Sequence, residues 1–522
     1  LPAPPAPSTP SPPKSDNGPV EHAKLASSSP SHHRVLHTGM QVNGYLLEEK
    51  LHTGGMAALW RISDLQQRHP PEPSGPGDID EQDKTQPALI MKVPLLFSSE
   101  DPTAIVAFEV EQMIMPKLKG KHVPRYFGSG DFDAQPYIVM EHIAGESLRS
   151  RFDQAPLPVA EVVDIGIKIA HALQDLHRQG VIHLDIKPSN IMFRAAGSAV
   201  LIDFGLSRHD KLPDLLDEEF RLPLGTGPYI SPEQVLGVRN EPRSDLFALG
   251  VLLYHLATGQ RPYGYPTTVN GLKKRLYRDP IPPRSHNPNI PDWLQEIILR
   301  CLEVNPAARF DTAAQLALSL QYPEQLTLTD RAEKTEQDGY LSVLKRRFQA
   351  AGSEPALPHS VTEQLSQAPI IMVALDLSNP SNPGNPTNAS TQLADSLRNI
   401  TERSLQTKQG ARLACVTVRK TNRIGMDDSL IQQGQNIHVK QLVDLKHWAR
   451  PLNITPDKIT FHVLEAHDPA SAILDYANNN DVDHIIIGSR GSSAIKRYLG
   501  SVSTQVVAES HCTVTVVKVN EK

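Results

Sequence analysis

One short loop gathers a carboxylate, an ammonium and an amide. In His183-Leu184-Asp185-Ile186-Lys187-Pro188-Ser189-Asn190 the three groups fall within six residues, between a helical amphipathic stretch (162–178) and the apolar run 191–193. Phosphoryl transfer needs this set. The carboxylate orients an attacking hydroxyl and accepts its proton, the lysine neutralises charge on the moving phosphoryl group, and the amide oxygen binds a metal ion. Leu201-Ile202-Asp203-Phe204-Gly205 adds a second carboxylate at the end of an apolar run, suited to chelating magnesium held by nucleotide phosphates. Lys92 ends the strand-like run 88–91, and a lysine in a buried run is costly unless paired. Glu111, on the following helix, is its natural partner. In Leu51-His52-Thr53-Gly54-Gly55-Met56-Ala57-Ala58-Leu59-Trp60, a turn with Gly54 and Gly55 joins two strand-like runs and has the form of a loop that closes over phosphates. Taken singly, these are a turn, an edge lysine and a hairpin. Their order along the chain, with Gly225-Thr226 and Ser231-Pro232-Glu233 downstream, is poorly explained by chance.

On these motifs, residues 44–322 resemble the catalytic domain of a bacterial serine/threonine protein kinase. The resemblance implies an α+β bilobal fold that binds ATP with Mg2+, or Mn2+ in its place, and transfers the γ-phosphate to protein Ser/Thr hydroxyls. It assigns Asp185 as base, Lys187 as the phosphoryl-side cation, and Lys92, paired with Glu111, to the α/β-phosphates. Asn190 and Asp203 become metal ligands, and Gly54 and Gly55 the loop over the phosphates. The stretch 140–143, with Glu141 and Ile143, becomes the adenine-reading hinge. Glu233 is expected to pair with Arg309, and Asp245 to anchor the catalytic loop. Three positions depart from the family: His52 and Ala57 replace glycines, and Leu184 replaces the catalytic-loop arginine that receives an activation-segment phosphate in many members. Between Gly205 and Gly225 the only hydroxyl side chain is Ser207, so phosphate and receptor are missing together. The segment is expected to be ordered instead by Leu212, Leu215, Leu216 and Phe220, without phosphorylation. The alternatives are a pseudokinase scaffold, favoured by the altered glycine loop and Leu184, and a small-molecule phosphotransferase, disfavoured by the Thr226, Glu233 and Arg309 platform.

A second block spans 369–520. Strand-like runs at 370–376, 412–418, 459–464, 484–487 and 514–517 alternate with helical stretches at 390–408, 436–452 and 470–479. Such alternation implies an α/β doubly wound parallel sheet, with ligands at the carboxyl ends of the strands. Asp376 ends the first run, and Gly488-Ser489-Arg490-Gly491 with Gly500-Ser501 follows the fourth. This pattern resembles the universal stress protein family. The resemblance implies Asp376 for an adenosine group, Gly488, Gly491, Gly500 and Ser501 for phosphates, and homodimerisation through the last strand. Eight residues separate Gly491 from Gly500, where many ATP-binding members have nine.

The chain of 522 residues is long enough for both blocks. Proline is in excess, and 17 of its 45 residues fall in three tracts: 1–37, 65–87 and 380–386. These read as a disordered tail (1–38), an insertion in the first block (39–325) and an insertion in the second; 326–368 reads as a linker with a helical stretch near 341–348. No apolar run reaches 18 residues, so no membrane span is expected. No secretory signal is read, and the first residue is not Met, as in a trimmed chain. Three scattered cysteines fit a cytoplasmic protein, and a net charge of −6 argues against a nucleic-acid partner.

Overall fold

The computed structural model describes residues 36–66, 87–95, 102–220, 222–337, 339, 343–347, 369–377, 388–408, 410–421, 431–432, 435–489 and 500–518. Nearly all of the 1–38 tail, most of the 65–87 insertion, the 380–386 tract and Gly491 lie outside these residues.

Six strands form the N-terminal lobe: β1 (Gln41–Val42), β2 (Tyr45–Thr53), β3 (Ala57–Asp64), β4 (Leu89–Pro94), β5 (Tyr126–Gly130) and β6 (Tyr137–Glu141). They build one antiparallel sheet in the order β1-β2-β3-β4-β6-β5. Successive strand residues face opposite sides, so Ala58, Trp60 and Ile62 of β3 join Met91 and Val93 of β4 in one buried cluster. Lys92, between the last two, points to the other face, where helix α1 (Pro102–Ile114) runs. The β3–β4 ladder keeps its register, Ile62 opposite Leu89, across the insertion. A longer loop adds little closure entropy, which is why the ladder survives it.

The second lobe is helical. Helix α2 (Val159–Arg178) buries Val162, Ile165, Ile169, Leu173 and Leu176, one stripe at helical spacing. Two short pairs follow, β7 (Val181–Ile182) with β10 (Arg208–His209) and β8 (Ile191–Phe193) with β9 (Ala199–Leu201). Then come α3 (Leu215–Glu219), α4 (Arg243–Thr258), α5 (Asp292–Cys301) and α6 (Ala313–Gln321). Helix α4 is buried along almost its whole length and ends on Gly259 in the left-handed region (φ 71°). The stretch read as a linker from 326 begins as part of this lobe. Glu296 of α5 accepts from the Thr329 hydroxyl at 2.8 Å and pairs with Arg331, and Gln295 donates to the carbonyls of Arg331, Ala332 and Lys334. The anchors are polar groups reaching across from another helix, so no periodic pattern in 326–337 announces them.

The C-terminal block is a parallel sheet of β11 (Ile370–Leu375), β12 (Arg412–Lys420), β13 (Ile459–Ala466), β14 (His484–Ser489) and β15 (Thr513–Lys518) in the order β13-β12-β11-β14-β15. Helices α7 (Asn388–Thr407), α8 (Ile437–Ala449), α9 (Pro469–Asn479) and α10 (Ser501–Glu509) connect the strands. Ile371, Val373 and Leu375 pack with Leu397, Leu442 and Leu445 of α7 and α8, while Met372 and Ala374 pack with Ile473, Leu474 and Val506 of α9 and α10. Both faces are covered, as the near-continuous apolar runs require. Strands β12 and β13 run two residues past their apolar runs, because backbone pairing continues through Arg419 opposite Glu465 and Lys420 opposite Ala466. No helix among the described residues is long and apolar enough to cross a membrane.

Candidate active site

The cleft between the lobes is organised by Lys92. Its Nζ donates to Glu111 Oε2 at 2.5 Å and to Asp203 Oδ1 at 2.9 Å, joining β4, α1 and the loop after β9. Burial alone would lower the pKa of Lys92, but the Asp203 and Glu111 carboxylates outweigh it and raise it. Burial pushes Glu111 upward against the pull of Lys92; with 2.5 Å between them we place the proton on the lysine. The charge of Lys92 outweighs burial at Asp203 and holds it at about 2. Asp203 adopts φ 68°, a conformation rare for a side chain other than Gly, which concentrates at functional sites. Gly205 follows because a Cβ there would meet the Ala107 carbonyl oxygen of α1 at 3.2 Å.

The loop 183–190 delivers the other groups. Asp185 accepts four hydrogen bonds, near the capacity of a carboxylate. Oδ1 takes the Thr226 N–H at 3.1 Å and hydroxyl at 2.8 Å; Oδ2 takes Lys187 Nζ at 2.6 Å and Asn190 Nδ2 at 3.2 Å. Asp245, at the start of α4, fixes the loop by accepting the His183 and Leu184 amides at 2.9 Å each and His177 Nε2 at 2.8 Å. Burial alone would raise Asp245, but the hydrogen bonds and charges of His177 and His183 together outweigh it and lower it. Leu184 is held with φ 61° between these anchors, with Gln234 donating to its carbonyl at 2.9 Å. Glu233 and Arg309 form a buried bidentate pair, both bonds 2.7 Å.

The hinge and the glycine turn lie at the cleft's edge. Ile143 is buried, and Glu141 spends its carboxylate on Arg194 and on the Arg125 amide. Any contact of Glu141 with a base would therefore run through its backbone. A Cβ would meet nothing within 4 Å at Gly55 and only ordinary contacts at Gly54, so internal packing does not demand glycine there. The Asn190 backbone carbonyl accepts the Ile202 amide at 3.0 Å, tying its loop to the residue before the anionic Asp203, and carboxylate and amide oxygens suit a hard divalent cation.

Comparison with known proteins agrees with this geometry. Residues 89–322 match the protein kinase domain, and residues 369–518 match the universal stress protein family. The chain carries a protein kinase domain and a universal stress protein domain. The kinase match starts at β4, while β1–β3 complete the same sheet upstream. A probable serine/threonine-protein kinase of Clostridium perfringens is 32% identical over 215 residues, 41% of this chain and 31% of that protein. A probable serine/threonine-protein kinase of Clostridium acetobutylicum is 28% identical over 295 residues, 56% of this chain and 42% of that protein. The serine/threonine-protein kinase PknB of Mycobacterium leprae is 30% identical over 248 residues, 45% of this chain and 40% of that protein. The chain thus spans less than half the length of these curated relatives. Protein kinases use ATP and a divalent cation.

Two features escape sequence reading, a seat for Asp214 and a brace at Arg275, whereas Ser207 and the apolar residues of the segment are read from it. Asp214 caps α3 through the Asp217 amide and lies 2.8 Å from Arg239 Nε and 3.7 Å from Arg208 Nε. A carboxylate built into the segment thus occupies a two-arginine seat. Arg275, 1% exposed, donates to the carbonyls of Ile230 and of Gly227 and braces the loop after Thr226. Ser207 is buried, and its hydroxyl donates to the His183 carbonyl at 3.0 Å. Leu215 and Leu216 are buried, with Leu212 and Phe220 packed against the same cluster. Only the folded chain brings Arg208 and Arg239 to one carboxylate 31 residues apart in sequence.

In the stress-protein domain, Asp376 emerges exposed from β11 and Gly488 lies near the end of the adjacent parallel strand β14. Strand order reverses there, since β12 flanks β11 on one side and β14 on the other. Ser489 Oγ accepts the Gly500 amide at 3.3 Å, and Ser501 opens α10. A Cβ on Gly488 would press on Leu393 of α7 at 3.0 Å, so its lack of a side chain also serves helix packing.

Proposed function

We propose that this protein is a serine/threonine kinase that transfers the γ-phosphate of ATP to protein hydroxyls, with Mg2+ as its working cation and Mn2+ as a substitute. The supporting observation is the convergence of Lys92, Glu111 and Asp203 with the Asp185–Thr226–Lys187 cluster in one cleft. Asn190 and Asp203 would hold the metal, which screens charge between the phosphates when bound. Lys92 would bind the α/β-phosphates, and Gly54, Gly55 and the backbone of Glu141 and Ile143 would cover phosphates and base. Asp185 would take the proton of the attacking Ser or Thr hydroxyl as its oxygen bonds to phosphorus and the bond to ADP breaks. An incoming hydroxyl must displace one of the four hydrogen bonds on Asp185. Lys187, on a flexible stem, is free to turn from Oδ2 towards the phosphoryl group. Lys187 and Thr226 favour hydroxyls of Ser and Thr over Tyr. His52, Ala57 and Leu184 are the features that favour the scaffold alternative, and the presence of Lys92, Glu111, Asp185, Asn190 and Asp203 supports the kinase reading over it.

The stress-protein domain is proposed to bind an adenine nucleotide or a related anion through Asp376, Gly488, Gly491, Gly500 and Ser501. Its edge strand β15 is the proposed homodimer contact. The cytoplasm is the proposed compartment, and 39–325, 326–368 and 369–520 are the proposed kinase, connecting and stress-protein units, with 326–337 seated on the kinase. Purified chain incubated with labelled ATP, Mg2+ and casein tests the reading, with Asp185→Asn and Lys92→Met beside it. Labelling by the parent chain alone is expected, and equal labelling by all three rejects it.

A further inference from the structure

Helices α1 and α3 of the kinase domain touch the stress-protein domain. Helix α3 buries Leu215 and Leu216 against the kinase core, beside α1, and turns its acids the other way. Glu218 Oε1 accepts from Arg412 Nη2 of β12 at 2.5 Å, and Oε2 accepts from His462 Nε2 of β13 at 3.0 Å. Glu219 Oε2 lies 3.3 Å from His462 Nδ1. Tyr476 of α9 donates its hydroxyl to Glu218 at 3.3 Å, and Asn480 donates to the Glu218 carbonyl at 3.2 Å. On the other flank Lys446 of α8 pairs with Glu109, two residues before Glu111, and His447 Nε2 lies 2.7 Å from Asp133.

The His462 geometry constrains its charge. A neutral imidazole offers one N–H and one lone pair. With a carboxylate at each nitrogen and a fully buried ring, only the imidazolium satisfies both. The charged and titratable groups facing it are Glu218 and Glu219 from α3, Tyr476 from α9, and Arg412 from β12 across Glu218. Burial alone would lower His462, but its hydrogen bonds to Glu218 and Glu219 and their charges outweigh it and raise it to about 9. Burial alone would raise Glu218, but the His462 hydrogen bond and Arg412 outweigh it and lower it to about 2.

Resting on the kinase reading above, we propose that Arg412, His462 and Lys446 are positioning residues for phosphoryl transfer, which seat the stress-protein domain on α3 and α1 and hold the activation segment and the Lys92–Glu111 pair in register. The segment has no accessible hydroxyl between Gly205 and Gly225 and no arginine at 184, so an intramolecular domain does work that a segment phosphate would otherwise do. The Lys92–Glu111 pair is formed with the domain seated.

The test uses the full chain and the exchangeable pair Glu109 and Lys446. Lys446→Glu, Glu109→Lys and the double exchange are compared for label transfer to casein and for hydrogen exchange over 102–114 and 215–219. Each single variant is expected to lose roughly 5- to 50-fold in rate and to exchange faster in both stretches, and the double exchange to recover most of both. Arg412→Ala, which leaves α1 untouched, should lower the rate in the same way. Single variants as fast as the parent or faster, or a double exchange that regains protection without rate, would overturn the proposal. If the parent chain moves no label, the positioning role falls with the kinase reading, and the exchange data report on the seat alone.

Discussion

Asp185 is saturated with donors in the folded chain, and under the proposed kinase reading an incoming hydroxyl displaces one of them. Asp185→Asn keeps the shape but cannot accept the substrate proton. Transfer to casein should fall by about 10²–10⁴-fold, with nucleotide affinity, read by calorimetry, within a few-fold of the parent. Lys92→Met removes the cation between two carboxylates and leaves the buried Glu111 with the Phe204 backbone hydrogen bond in place of an ion pair. Burial and the Asp203 charge then outweigh that one hydrogen bond, so Glu111 takes up a proton, and nucleotide affinity should fall with rate. The two variants are separated by titrating ATP against each. At this scale the charge logic of Lys92 was legible, because a lysine between Met91 and Val93 demands a partner. The Asp214 seat was not, because nothing local in Arg208 or Arg239 names their shared carboxylate.

Elements carry these groups through buried braces. The Glu233–Arg309 pair ties the short helix Pro232–Val235 to the turn before α6, with Arg309 fully buried. Breaking a buried pair strands the remaining charge, so Arg309→Ala should cost about 3–5 kcal/mol, measured as a fall in the urea midpoint. Arg309→Lys should recover little, since an ammonium cannot reproduce the fork. Strand and helix identities followed from period: two along β3, between three and four along α2, continuous apolar runs in β11 and β14. What escaped is structure held by polar side chains from elsewhere. The seat of 326–337 on Gln295 and Glu296, and the extra pairing of Arg419 with Glu465, leave no hydrophobic trace.

Across the whole molecule, pH should tune the contact between domains. A folded pKa raised to about 9 at His462, from 6.5, gives stabilisation fully present below about 6.5 and lost as pH rises through 9. A folded pKa lowered to about 2 at Glu218, from 4.5, gives stabilisation present above about 4.5 and lost as pH falls towards 2. The seat is therefore strongest near pH 4.5–6.5 and weakens on the alkaline side. X-ray scattering should show a larger radius of gyration at pH 10 than at pH 6, and His462→Gln should start expanded and respond little. A radius unchanged across that range in the parent chain would contradict this.

The amino-acid sequence by itself determined the two folds and the group of residues at the kinase cleft, because hydrophobic period and motif spacing are local quantities. The tertiary structure alone decided which charges meet. Glu218 and His462 are 244 residues apart, and no local pattern records that one neutralises the other. A buried imidazolium between two carboxylates exists only once both domains have folded and met, since desolvation gives each charge its need for the other.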